Sequence, residues 1–191
     1  MSTANDAKTV RDSVTQLLAR GEIDAGMKLL KEAGPLPQFI ELECIGNMHF
    51  YKRELQKAVE AYERAITIQP DYGIARYQYL VGTQDEKKND LVAAFKRYQS
   101  AIGIEPTFVD AYFELGGLLV KVGDFEGAAQ CYRDAVKLAP NDLSAHHNLS
   151  SVLAKLAATG PEKHADERQS VDAAYAKLKE IGANPSSTGK W

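Results

Sequence analysis

Apolar side chains recur at helical spacing along most of the chain, and proline cuts that pattern into pieces. Amphipathic runs end at Pro70, Pro106 and Pro140, each followed at once by a turn or capping residue: Asp71, Thr107 and Asn141. The intervals between these prolines are 36 and 34 residues. Proline has no backbone donor and blocks helical continuation, so each one marks where a new unit starts. A fixed interval of this size is the mark of a solenoid, in which every unit buries its apolar face against its neighbours. The pattern predicts helices throughout.

Setting the segments in register on the prolines exposes an internal motif, cleanest between residues 109 and 142. It carries Tyr112, Leu115 and Gly116, a Gly123-Asp124 turn with Phe125 after it, then Ala128, Tyr132, Ala135, Leu138 and Pro140. The segment before Pro70 repeats it with Ile45, Gly46, Ala58, Tyr62 and Ala65; His49 stands where an aromatic is commonest, with Phe50 beside it to fill that volume. Before Pro106 come Gly82, Ala94, Tyr98 and Ala101, with two extra residues that we assign to a longer internal turn over Gln84 to Asp90.

The motif closely resembles the tetratricopeptide repeat, a helix-turn-helix unit of 34 residues. The resemblance implies an all-α fold, a right-handed α-solenoid of stacked helix-turn-helix repeats. We expect a single repeat domain over 1–185, with repeats at about 7–38, 39–72, 73–108, 109–142 and 143–185, and a short polar tail at 186–191. The first and last repeats are degenerate. Leu17, Gly21, Glu22, Ile23, Leu30 and Ala33 match in the first, where Gly26 replaces an alanine. In the last, a helix from Leu143 to Ala158 precedes a charged loop, Thr159 to Glu167, and a second helix with Val171, Tyr175 and Leu178. End units must cover the stack on one side and face water on the other.

Glycine at 46, 82 and 116 and alanine at 58, 94 and 128 have a steric reading: small side chains let two helices of one unit approach at the short end of the roughly 8–10 Å interaxial range. Tyr62, Tyr98 and Tyr132 then fill the space between successive helices.

Charge narrows the partner. A net charge of -3 leaves no cationic excess for phosphates, which argues against nucleic acid. No stretch approaches the roughly 20 apolar residues that span a bilayer, and Met1 to Val10 lacks the features of a secretory signal, so neither membrane insertion nor export is expected and the location reads as cytoplasmic. Cys44 and Cys131 read as buried hydrophobes. The four histidines offer no pair at metal-ligand spacing, and no nucleophile elbow or phosphate loop is present: Thr188-Gly189-Lys190 lacks the hydroxyl residue and helix that should follow. The chain reads as a non-enzyme with no cofactor and no metal.

The resemblance also implies where a partner would lie. In this family the concave wall is built from first helices and receives a segment of another protein. Carried over by offset, the groove candidates are Arg11 in the first repeat, Glu43, Asn47 and Phe50 in the second, and Arg76, Tyr79 and Thr83 in the third. Asp110, Phe113 and Lys121 follow in the fourth, with His147 and Ser151 in the fifth. Phe50, Tyr79 and Phe113 are either anchors for a bound segment or rings packed inside the stack. One branch of the family clamps acidic C-termini with Lys, Asn and Arg; here the matching offsets include Glu43, Asp110 and Glu114, whose carboxylates would repel such a ligand. The expected function is a scaffold that binds a protein or peptide partner in the groove; the alternative is a homo-oligomer assembling through its end units. Trp191, the one tryptophan, is expected in a disordered tail, with docking into a groove as the alternative.

Overall fold

A computed structural model of the chain describes residues 4–159 and 164–182. The expectations for the tail from 186 and for Trp191 lie outside these residues. The described residues form helices α1 (Ala4–Ala19), α2 (Ile23–Glu32), α3 (Gln38–Tyr51), α4 (Leu55–Ile68) and α5 (Ala75–Lys87). Then come α6 (Leu91–Ile104), α7 (Val109–Val122), α8 (Phe125–Leu138), α9 (Leu143–Thr159) and α10 (Ala165–Glu180). Among the described residues there is no strand.

The first four helix pairs turn the same way. Gly21, Arg53, Asn89 and Gly123 all take positive φ, at 79°, 64°, 63° and 87°, and all stand at the same offset of their repeats. The next residue is the N-cap of the second helix. Asp90 accepts from the backbone N–H of Ala93 and Asp124 from that of Gly127, which satisfies one of the orphan donors of α6 and of α8.

The chain divides into two compact units, residues 1–80 and 81–191, with the boundary inside α5. In the first unit α1 packs on α2 and α3, and α3 packs on α4. Its core joins Ala7, Val14 and Leu18 to Ile40, Cys44 and Met48, with Phe39 and Tyr72 against them. In the second unit α6 packs on α7, α7 on α8, α8 on α9 and α9 on α10.

The recurring glycines have a specific neighbour. A Cβ on Gly82 would stand 2.8 Å from Cε1 of Tyr98, and one on Gly116 would stand 2.8 Å from Cε1 of Tyr132. Gly46 is placed against Tyr62 in the same way. The tyrosines therefore lie on the backbone of the first helix of their own repeat rather than filling space between successive helices alone. Ala58, Ala94 and Ala128 are fully buried beside them. The end repeats solve the contact differently: a Cβ on Gly26 would stand 3.2 Å from Cδ2 of Leu18, and Ser150 hydrogen-bonds Asp172 across α9 and α10.

Two expectations are corrected. The extra residues of the third repeat do not lengthen the turn after α5. Six residues, 69–74, connect α4 to α5, where four connect α6 to α7 and α8 to α9, and the insertion therefore falls around Tyr72 and Gly73. The Gly82–Tyr98 contact explains this, because it requires the same sequence separation as Gly116–Tyr132 and leaves the helix pair no room for an insertion. The charged stretch before the last helix is also shorter than expected: α10 begins at Ala165, so Asp166 and Glu167 occupy its first turn, where a carboxylate suits the helix N-terminus.

Candidate functional site

The groove offsets lie on α1, α3, α5, α7 and α9, and the two units present them differently.

In the first unit most are already engaged. Arg11 donates to the Tyr72 hydroxyl at 3.0 Å, and that hydroxyl donates to Glu43, with Arg11 itself 3.8 Å from the carboxylate. Burial alone would lower the Arg11 pKa, but the Tyr72 hydrogen bond and the Glu43 charge raise it, so the guanidinium stays charged. Burial, and then the Glu43 charge, push the Tyr72 phenol well above its usual value. One turn along, Asn47 donates to Thr15 at 3.0 Å and accepts from the Tyr62 hydroxyl at 2.7 Å. The guanidinium of Arg76 lies 5.9 Å from the Phe50 ring and 5.5 Å from the Tyr51 ring, and donates to the Tyr51 hydroxyl. The rings of Phe50 and Tyr79 meet edge-on at 6.0 Å. Glu43, Asn47, Phe50, Arg76 and Tyr79 are all buried, with Asn47 and Tyr79 only 1% exposed.

Tyr72 carries this arrangement and was not among the sequence candidates. It sits in the inserted connection, and its ring also packs edge-on against Phe39. The available signal was the two-residue excess itself, correctly located.

In the second unit the stripe stands open. Lys121, His147 and Ser151 are exposed, as is Lys155, while Thr83 and Asp110 are half-buried and Phe113 is buried. Phe113 spends its ring on Tyr132, at 6.2 Å. Lys121 is 3.6 Å from Glu86, which accepts from the Tyr98 hydroxyl. The Lys155 ammonium sits 5.1 Å over the Phe125 ring, and the His147 ring lies 5.6 Å from that of Tyr175. Thus α9 offers His147, Ser151 and Lys155 at four-residue spacing on one face, and α7 offers Lys121 at the offset of Lys155.

Burial pushes the Cys44 thiol up to about 12 and the Cys131 thiol up to about 11, so neither is a poised nucleophile. Among the described residues no group of three His, Cys, Asp or Glu could hold a metal ion, and no helix is long and apolar enough to cross a membrane.

Comparison with known proteins agrees with the repeat. Two family models described as tetratricopeptide repeat match residues 45–72 and 86–156, together more than half of the chain. The chain is 28% identical over 146 residues to Protein O-mannosyl-transferase TMTC1 of Mus musculus, covering 71% of this chain and 16% of that protein. It is 21% identical over 150 residues to the BBSome complex member BBS4 homolog of Drosophila melanogaster, covering 77% and 30%. The chain thus spans less than a third of the length of either relative. A crystal structure of MamA matches with a TM-score of 0.55 at 19% identity, covering 88% of this chain and 95% of that one. A second MamA structure matches at 0.53 and 18%, covering 95% and 96%. These likenesses show the fold.

Proposed function

We propose, because this chain belongs to the tetratricopeptide-repeat family, that it is a non-catalytic scaffold that holds a segment of another protein against its first helices. The observation that carries this reading is the open stripe of the second unit, where Lys121, His147, Ser151 and Lys155 are exposed and Lys121 and Lys155 stand at one offset of α7 and α9. Exposed polar side chains along α9, with Lys121 of α7 in line with Lys155, give a partner segment an ordered row of contacts. The Drosophila relative is named as a member of a protein complex, which accords with a role in association. The segment-binding role of the first unit's candidates is indirect in this reading: Glu43, Asn47 and Arg76 hold the wall in shape through contacts already made within it.

A photo-crosslinking residue placed at Ser151, compared with one at exposed Gln130 on second helix α8, tests the reading. Protein adducts should form from position 151 and be absent from 130. Adducts at 130 alone would move the binding face to the second helices. Adducts between copies of this chain, with a multiple of 21.0 kDa by light scattering, would favour the self-assembling alternative.

A further inference from the structure

The third repeat fills twice a position that the fourth fills once. Counted back from the helix that follows, Ile74 matches Phe108: each is the last residue before a first helix, and they are 2% and 5% exposed. Counted forward from the proline, Tyr72 matches Phe108 instead, standing two residues after Pro70 as Phe108 stands two after Pro106. Ile74 takes the core place, which releases Tyr72 from it.

Tyr72 reaches across the groove offsets of the first unit. Its hydroxyl lies between Arg11 on α1 and Glu43 on α3, which share one offset, accepting from the guanidinium at 3.0 Å and donating to the carboxylate. Its ring stands edge-on to Phe39, with 4.7 Å between centroids. At the same offset of α9, which follows a connection without an insertion, His147 is exposed.

We propose that Tyr72 is a tethered plug: the seat between Arg11 and Glu43 is a subsite for a tyrosine of the partner segment, and the connection 69–74 fills it until that tyrosine displaces Tyr72. This rests on the scaffold reading above and adds a direct role for Arg11 and Glu43 to the one they have in the wall. The seat selects its ligand by chemistry. One atom must accept from a guanidinium and donate to a carboxylate while an aromatic ring meets Phe39, and a phenol meets all three demands. Burial and the Glu43 charge keep the phenol protonated, so it can donate. The plug is also removable. Tyr72 is half-buried and lies on a connection, not on a helix. Arg11 donates to Asp12 as well and stays 3.8 Å from Glu43, so the charges of the seat remain paired when the ring leaves. A tethered phenol competes at high effective concentration, so a partner's tyrosine binds the emptied seat more tightly than the filled one.

The test empties the seat. Tyr72→Ala is titrated with para-cresol, the tyrosine side chain as a free molecule, and with toluene, which lacks the hydroxyl. Para-cresol should raise the thermal midpoint of the variant saturably, bind at least about tenfold more tightly than toluene, and leave wild type unmoved. Both proteins are then panned against a phage-displayed library of random dodecapeptides. Peptides enriched on Tyr72→Ala should carry a tyrosine and bind it at least about tenfold more tightly than wild type. Phenylalanine in place of the peptide's tyrosine should abolish that preference. Should Tyr72→Ala fail to fold, panning on Tyr72→Phe decides instead: a plug without its hydroxyl holds less well, so tyrosine peptides should bind it more tightly than wild type. Toluene binding as tightly as para-cresol, or neither binding, overturns the seat. Peptides without tyrosine, or tyrosine peptides that bind wild type and variant equally, overturn the plug and leave the scaffold reading standing. A library with nothing enriched on either protein overturns both readings.

Discussion

Two ring carbons of Tyr132, Cε1 and Cζ, stand 2.8 Å from the point that a Cβ on Gly116 would occupy, so the aromatic side chain of α8 lies directly on the backbone of α7. Real Cβ contacts are longer than this, and the ring is boxed in by a residue environment that is itself buried. Gly116→Ala should therefore destabilise the protein even though alanine is the better helix former. Overpacking costs about 1–3 kcal/mol against a propensity gain near 1 kcal/mol. Tyr132→Leu in the same chain should recover part of the loss. A double-mutant cycle in urea checks this, and a coupling of zero would mean the ring moves aside freely.

A second expectation concerns the insertion before α5. Tyr72→Phe keeps the ring against Phe39 but removes the hydroxyl that links Arg11 to Glu43. Glu43 is buried, and losing a donor to a buried carboxylate costs about 1–3 kcal/mol. The urea midpoint should fall with an unchanged slope, and Tyr77→Phe on α5, as a control, should move it less.

These two sites mark what could be read in the sequence. The repeat and its helix pairs follow from spacing alone, because proline and glycine act locally and the period is short, whereas the seating of each tyrosine on the glycine of its own repeat was not read there. Where the two extra residues fall was not legible from the period, although the constant separation of Gly82 and Tyr98 contained the answer. The groove offsets were legible as positions but not as open or closed. Asn47 and Ser151 share an offset, yet one bonds Thr15 and Tyr62 while the other is exposed. That difference depends on which side chains meet across helices, which periodicity does not encode.

The internal turns allow a prediction of opposite sign. Arg53 and Asn89 hold φ of 64° and 63° at the offset where Gly21 and Gly123 stand. The left-handed conformation costs an ordinary L-residue about 1–2 kcal/mol, and glycine returns about 0.5–1 kcal/mol of that as chain entropy. Arg53→Gly should thus raise stability by up to about 1 kcal/mol. Asn89→Gly should gain less, because asparagine tolerates this region. Thermal midpoints of the two variants compared side by side check the order.

Acid should loosen the last helix. Arg133 on α8 makes two hydrogen bonds to Glu167 on α10, at 2.6 and 2.8 Å, and these hold the Glu167 carboxyl below its usual range. A carboxylate with a depressed folded pKa stabilises above its unfolded value and loses that contribution as pH falls through the folded one. The stability difference between wild type and Glu167→Gln should be present at neutral pH, at about 0.2–1 kcal/mol for a part-exposed pair, and should vanish in acid below the ordinary glutamate range. Hydrogen exchange of the α10 amides at the two pH values measures it; a difference that grows in acid would contradict the assignment.

The two thiols make each unit its own reporter. Cys44 lies in the first unit and Cys131 in the second, both buried, with burial holding their thiols up to about 12 and about 11. With both thiols held this far up by burial, little thiolate is present at pH 8. Neither should react with a chromogenic disulfide in native buffer, and both should react at once in concentrated urea. With Cys44→Ser or Cys131→Ser, the remaining thiol titrates the opening of its own unit, because labelling requires exposure of the sulfur as well as its ionisation. Rapid labelling of Cys44 in the native protein would show that α3 opens locally, which the wall of hydrogen bonds through Glu43 and Asn47 should prevent.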